Sequence, residues 1–193
     1  MTRIVAGDAG GLSIAVPDSG TRPTSDRVRE AIFSTLDSMF DFDDARVVDL
    51  FAGSGALGLE ALSRGASDVT LVDKSPAAVG LCAANGRIVA AACEATGRSV
   101  SVHSLPQSVD AFLAHAAQRE FDLVFLDPPY DLDNGALERS LGLVASMVHD
   151  DAVIVVERSS RDAEPSWPLP FIVERVKTYG ETTVYFLEVE ATA

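Results

Sequence analysis

The chain has 193 residues, 47% of them hydrophobic and 23% charged, which supplies one sizeable core and excludes wholesale disorder. Its net charge of −14 argues against tight, indiscriminate binding to free nucleic acid, because global repulsion opposes counterion release. No apolar run approaches the roughly 20 residues of a membrane helix, and Met1-Thr2-Arg3-Ile4-Val5 lacks the basic-then-apolar form of a secretion signal, so the cytoplasm is the expected location.

In chain order, residues 3–6 and 12–16 read as a hairpin around Gly7-Asp8-Ala9-Gly10-Gly11. A polar link from Pro17 to Pro23 follows. Thr24 or Ser25 is placed to cap a helix reaching about Met39, with Val28, Ile32, Leu36 and Met39 along one face. Residues 1–40 form an expected extension, and residues 41–193 the main domain. The extension also differs in charge. Up to Glu30, Arg3, Arg22, Arg27 and Arg29 balance Asp8, Asp18, Asp26 and Glu30, so the rest of the chain carries the whole excess of −14.

The main domain alternates short apolar runs with helical stretches. Expected strands are Val47–Phe51, Val69–Asp73, Ser99–His103, Phe121–Leu126 and Ala152–Glu157. Expected helices are Leu57–Arg64, 76–96, 107–118 and 134–147. Strands apolar on both faces, each followed by a helix, predict a parallel sheet covered on both sides and wound right-handed. Phe171–Thr178 and Thr182–Val189 flank Tyr179-Gly180-Glu181 with no room for a helix, which predicts an antiparallel hairpin. Cys82 and Cys93 lie eleven positions apart in one helix, roughly 16 Å along its axis, too far for a disulfide; buried free thiols are expected. His103, His115 and His149 are scattered, and no Cys/His spacing suits zinc, so no metal is expected.

Two motifs carry chemistry. In Asp49-Leu50-Phe51-Ala52-Gly53-Ser54-Gly55-Ala56-Leu57-Gly58, glycines at a strand-to-helix turn allow a tight bend, close backbone approach and free N–H groups at the helix start. The spacing Gly53-x-Gly55-x-x-Gly58, with Asp73 at a strand end where an acid would hold a ribose, fits a nicotinamide dinucleotide as well as S-adenosylmethionine. Asp49 tilts the balance. A carboxylate at the end of that strand suits the amino group of a methionine moiety and is unwelcome beside a pyrophosphate. Asp73 also reads as an acid beside the start of the next helix.

The second motif is Asp127-Pro128-Pro129-Tyr130, directly after a buried strand. Two prolines force the chain out of the sheet and fix its backbone. The Asp127 carboxylate and the Pro128 carbonyl become two rigid acceptors at the ligand side of the sheet. A base amino nitrogen is a weak nucleophile because its lone pair is delocalised into the ring. Acceptors aimed at its two N–H bonds favour the pyramidal form that attacks a methyl group, and Tyr130 can stack on the base. The tetrad matches the (Asp/Asn/Ser)-Pro-Pro-aromatic motif of amino-nitrogen methyltransferases; Asp rather than Asn at its head points to nucleic-acid bases.

Together with the run Arg22-Pro23-Thr24-Ser25-Asp26-Arg27-Val28-Arg29-Glu30-Ala31-Ile32-Phe33, these motifs resemble the RsmD family, bacterial enzymes that methylate the N2 amino group of one guanine in 16S ribosomal RNA. The resemblance extends from Arg3 to Tyr179-Gly180-Glu181-Thr182. It implies a class I methyltransferase fold: an α/β, Rossmann-like, doubly wound sheet, mostly parallel, with a C-terminal antiparallel hairpin and a small N-terminal hairpin-helix extension. It implies S-adenosylmethionine bound by Asp49, Phe51, Ala52, Gly53, Ser54, Gly55, Asp73, Lys74, Ser104, Leu105 and Asp127. It assigns catalysis to Asp127, Pro128 and Tyr130, and RNA contact to Arg22, Thr24, Arg27 and Arg29. The expected substrate is 16S rRNA within an assembled or partly assembled small subunit, whose organised surface would offset the acidic bulk, and the expected state is a monomer. One departure is evident: where the family carries an acid and a small residue after the third strand, this chain has His103-Ser104-Leu105-Pro106-Gln107. The closest alternative is a DNA or other RNA amino-nitrogen methyltransferase acting on adenine N6 or cytosine N4, although such enzymes often carry a larger recognition region. A nicotinamide-dependent oxidoreductase would leave Asp49 and the tetrad idle, and a non-catalytic RNA-assembly factor would leave the tetrad idle.

Overall fold

The structure, a computed structural model, describes residues 1–17, 26–115, 121–129 and 131–190. Arg22, Thr24 and Tyr130, and with them the expected helix caps Thr24 and Ser25, lie outside the described residues.

The chain opens with β1 (Thr2–Arg3) and β2 (Ser13–Ile14), a two-stranded antiparallel ribbon, followed by α1 (Asp26–Leu36). The main sheet holds β3 (Arg46–Asp49), β4 (Asp68–Asp73), β5 (Ser101–Pro106), β6 (Phe121–Leu126), β7 (Val148–Ser159), β8 (Phe171–Tyr179) and β9 (Thr182–Val189). Between them run α2 (Ala56–Arg64), α3 (Pro76–Ala95), α4 (Val109–Leu113) and α5 (Asn134–Val144). The sheet order is β5-β4-β3-β6-β7-β9-β8. The five strands from β5 to β7 pair in parallel, while β9 is antiparallel to both β7 and β8.

The winding defines where a ligand can sit. From β3 the chain steps outward to β4 and β5, then crosses to β6 on the other side of β3. The carboxyl ends of β3 and β6 therefore border the switch point, where open α/β sheets leave a crevice. The segment that follows β3 is tied to the strands on either side of it, β6 and β4. The Leu50 N–H donates to the Phe125 carbonyl at 3.0 Å, and the Ala52 N–H to the Val72 carbonyl at 3.0 Å.

Each face of the sheet is closed by its own apolar cluster. Val47, Val69, Leu71, Leu123, Phe125, Val155 and Phe186 meet α1, α2 and α3; Val48, Val72, Val124, Leu126, Ile154 and Val156 meet α4 and α5. This explains strands apolar at every position. The ribbon and α1 share the first cluster: Ile4, Ile14, Ile32, Phe33 and Leu36 pack into it, and the Phe33 ring lies 5.7 Å from Phe125. The ribbon is seated by the fully buried carboxylate of Glu60, which accepts from the Val5 and Ala6 N–H groups, the latter at 3.0 Å.

Several boundaries differ from the sequence expectation. The strand expected at Ala152–Glu157 spans Val148–Ser159: Val148 already pairs with Phe121, and the register shifts across the exposed acids at 150–151 before Val153 pairs with Leu123. The helix expected at 107–118 is helical only over Val109–Leu113 among the described residues. Helix α3 is long and apolar enough, by length and composition, to cross a membrane, unlike the expectation for the chain. Its alanines produce that character, and in the fold its Ala78, Cys82, Asn85, Gly86, Val89 and Cys93 are buried. Both cysteines are free and buried.

Candidate active site

Asp49 closes β3, and its carboxylate is 1% exposed. One oxygen, Oδ2, accepts from the Gly58 N–H at 3.2 Å; the other, Oδ1, is buried and has no hydrogen-bond partner among the described residues. Burial pushes this carboxyl up to about 7, and the nearby Asp127 and Asp73 charges add to the rise, while the Gly58 and Phe51 N–H groups work against it. A buried oxygen with no donor is a site that awaits one.

The turn that follows needs its glycines. Gly53 and Gly55 adopt φ of 56° and 80°, in the left-handed region. Gly58 has a different reason: a Cβ there would meet Leu71 Cδ2 at 2.6 Å and Val69 Cγ1 at 2.9 Å, so glycine lets α2 lie close on the sheet. The turn is held from several directions. Asp73, half-buried at the end of β4, accepts from the Gly53 N–H at 2.9 Å through Oδ2 and from the Ser75 N–H at 2.8 Å through Oδ1. Ser75 itself caps α3. Asp73 therefore braces both the glycine turn and the residue that caps the next helix. From α3, the Cys82 thiol donates to the Gly53 carbonyl at 3.5 Å. Burial pushes that thiol up to about 12, with Asp49 and Asp73 adding to the rise, so it stays protonated. The fully buried Asn85 donates to the Ser54 carbonyl at 2.8 Å. Phe51 and Ala52 complete the turn, half-buried and buried, and Lys74 is exposed at its rim.

Across β3 stands the tetrad. Asp127 is half-buried, Pro128 buried and Pro129 exposed. Asp49, Asp73 and Asp127 thus converge at three neighbouring strand ends. Beyond the tetrad the Leu132 N–H donates to the Pro129 carbonyl at 2.9 Å, and Asp133 caps α5 by accepting from Ala136 N–H at 2.7 Å. Among the described residues no cluster of His, Cys, Asp and Glu could hold a metal ion.

The structure revises three expectations. Arg29, assigned to RNA, is 1% exposed. Its guanidinium donates to the Arg3 carbonyl, to the Thr2 hydroxyl at 3.1 Å and to Asp26 at 3.0 Å, with Glu60 4.0 Å away, so it fastens α1 to the ribbon and meets no solvent. Arg27, two positions earlier, is exposed. Ser104 and Leu105 do not lie in a loop, because β5 runs to Pro106. Ser104 pairs with Leu71, Leu105 with Val72 and Pro106 with Asp73, and Leu105 packs on the α4–α5 side. The first residue to leave the strand past the level of Asp73 is the half-buried Gln107, which the sequence reading did not single out. Pro106 was the available signal for the strand's end. Also unforeseen were Asn85, Cys82, and the buried pair Glu157 and Arg158 on β7. Those two follow Val156, which pairs with Leu126 just before the tetrad.

A doubly wound, mostly parallel sheet closed by C-terminal antiparallel strands, with a glycine turn at its switch point, is the fold of the class I methyltransferases. The family described as conserved hypothetical protein 95 matches residues 2–188. The ribosomal RNA small subunit methyltransferase D of Escherichia coli strain K12 is 35% identical over 192 residues, covering 98% of this chain and 90% of that protein. A Bacillus subtilis protein named as a putative rRNA methyltransferase, YlbH, is 35% identical over 94% of this chain and 96% of its own length. The solved structure of the putative methyltransferase yhhF from E. coli superposes with a TM-score of 0.80 at 34% identity, covering 99% of both chains. The chain belongs to the RsmD family of methyltransferases.

Proposed function

We propose that this chain transfers a methyl group from S-adenosylmethionine to the exocyclic N2 amino group of a guanine in 16S ribosomal RNA, within an assembled or partly assembled small subunit. The observation that carries the reading is the pair Asp49 and Asp127: a buried carboxylate with an unpartnered oxygen, next to a second carboxylate held by two prolines at the end of the adjacent strand. The unpartnered Asp49 Oδ1 fits the cationic amino group of the methionine moiety, and the left-handed turn at Gly53 and Gly55 follows it in the chain. The cofactor supplies the electrophilic methyl group on a sulfonium.

The chain's own groups do the rest. Asp73 keeps lone pairs for ribose hydroxyls while bracing the turn, with Phe51, Ala52, Ser54 and Lys74 around it. Gln107 takes the place first given to Ser104 and Leu105, meeting the adenine edge from the end of β5. Asp127 and the Pro128 carbonyl accept the two N–H bonds of the base amino group, and Tyr130 stacks on the base. No covalent enzyme intermediate is needed. Arg22, Thr24 and the exposed Arg27 meet RNA. Support for an RNA acceptor comes from the E. coli relative, named for the small-subunit ribosomal RNA.

The test is a methyl-transfer assay with labelled cofactor on undermethylated small subunits, free 16S RNA and DNA side by side, with the product nucleoside identified by mass spectrometry. The expected product is N2-methylguanosine from the subunits. Label in N6-methyladenine, or in DNA alone, overturns the proposal.

A further inference from the structure

We infer that Arg158 is a positioning residue for the reaction centre: it holds the exit of the Asp127–Asp133 loop, and with it the orientation of the acceptors that the loop carries. This rests on the methyl-transfer reading above. The entrance of the loop is fixed by β6, which is paired on both sides with β3 and β7. The exit has no strand to hold it. There the Leu132 N–H reaches back to the Pro129 carbonyl at 2.9 Å, Asn134 Nδ2 donates to the Ala163 carbonyl at 3.0 Å, and a further restraint comes from the neighbouring strand. Arg158 Nη2 donates to the Leu132 carbonyl at 2.9 Å and to Asn134 Oδ1 at 3.2 Å, with Asp162 Oδ2 3.2 Å away.

The placement follows from register. Leu126 and Val156 are the last ladder pair of β6 and β7. Two positions on, Arg158 lies past the end of β6, beside the point where the loop leaves it. Side chains alternate along a strand, so Arg158 follows Ile154 and Val156 to the α4–α5 side, where α5 begins. The cation therefore grips the loop from the face on which it turns into α5.

The chemistry argues for a positional task. The Arg158 side chain is 6% exposed, and its Nε is buried with no partner among the described residues. Burying a guanidinium is costly, and leaving one of its donors unmet costs more. A surface loop does not require such an anchor to close. A loop whose two acceptors must hold still against a weak nucleophile does, because small displacements of a preorganised group lower the rate steeply.

The deciding experiment compares Arg158→Gln and Arg158→Lys with the parent on small subunits, alongside calorimetry with S-adenosylhomocysteine and amide hydrogen exchange over residues 127–136. The expected result for Arg158→Gln is a kcat lower by at least about tenfold with the S-adenosylhomocysteine Kd kept within about twofold. Exchange at the loop exit is faster, and Arg158→Lys recovers part of the rate by restoring one cationic donor. A kcat within about twofold of the parent overturns the inference; so does a parallel loss of kcat, cofactor affinity and thermal stability, which marks a role in the fold alone. If Arg158→Gln does not fold, Arg158→Lys and Asn134→Ala decide by the same criteria. If the parent methylates no substrate, the proposed function fails separately; unchanged exchange in the variants then overturns the inference, and faster exchange sustains the grip.

Discussion

Asn85 donates to the Ser54 carbonyl at 2.8 Å from a position 1% exposed, and the same side-chain amide holds both backbone groups of Ala15, each at 2.9 Å. One residue of α3 thus joins the glycine turn to the segment that leads toward Arg22 and Thr24. Replacing it leaves a buried carbonyl unmet at Ser54 and two half-buried backbone groups unmet at Ala15. Asn85→Ala is expected to cost about 3 kcal/mol of stability and to weaken S-adenosylhomocysteine binding, as read by urea denaturation and calorimetry. Loss of stability with unchanged affinity would confine Asn85 to the fold.

Asp127→Ala is expected to lower kcat by at least about a hundredfold while S-adenosylhomocysteine still binds. A second signature follows from Asp127's effect on Asp49: its charge raises the Asp49 carboxyl, so removing it should move the pH dependence of cofactor binding to lower pH. Full turnover in the variant would remove Asp127 from the reaction.

Asp49 makes the protein's stability depend on pH in an unusual direction. Its carboxyl lies at about 7 in the fold against an ordinary 3.8, through burial first. The folded chain therefore keeps a proton that the unfolded chain releases between those values. The stabilisation is fully present below 3.8 and is lost as pH rises through about 7. A cationic amino group bound at Asp49 favours the ionised form, so S-adenosylhomocysteine affinity should climb over the same interval and level off above it. Asp49→Asn should flatten both trends, stabilise the ligand-free protein at pH 8 relative to the parent, and weaken ligand binding. Denaturant titrations and calorimetry from pH 5 to 8 read each effect; a parent affinity that does not change over this range would contradict the assignment.

Arg27 and Arg29 should behave oppositely. Arg29→Ala removes a buried guanidinium whose partners are Arg3, Thr2 and Asp26, and is expected to cost about 3 kcal/mol. Arg27→Ala should leave stability within about 0.5 kcal/mol, reduce methylation of subunits, and lower the salt slope of binding by about one unit. Similar stability losses in both variants would contradict their separation.

What the sequence made legible tracks how local the cause is. β6 starts and stops where expected, at Phe121 and Leu126, because Asp127-Pro128 ends any strand it follows. The glycine turn is equally readable, since its backbone angles demand glycine at Gly53 and Gly55. Arg29 was misplaced because its partners, apart from Asp26, lie on the ribbon and α2, distant in sequence. Asn85 and Arg158 gave no signal at all. A single asparagine among alanines and an arginine near a strand end acquire meaning only when Ala15, Ser54 and Leu132 are brought against them by the fold. β5 ran on past Ser104 to Pro106, beyond the end expected at His103.

The seating of the ribbon on Glu60 and Asn85 also orders events in time. The bonds that hold Val5, Ala6 and Ala15 span 55, 54 and 70 residues, and strands of two residues have no stability of their own. As the chain emerges from a ribosome, its first segment has nothing to dock on until α2 and much of α3 have followed it out. The part of the molecule made first is among the last to settle, and a nascent chain arrested before Asn85 would carry an N-terminus open to proteolysis.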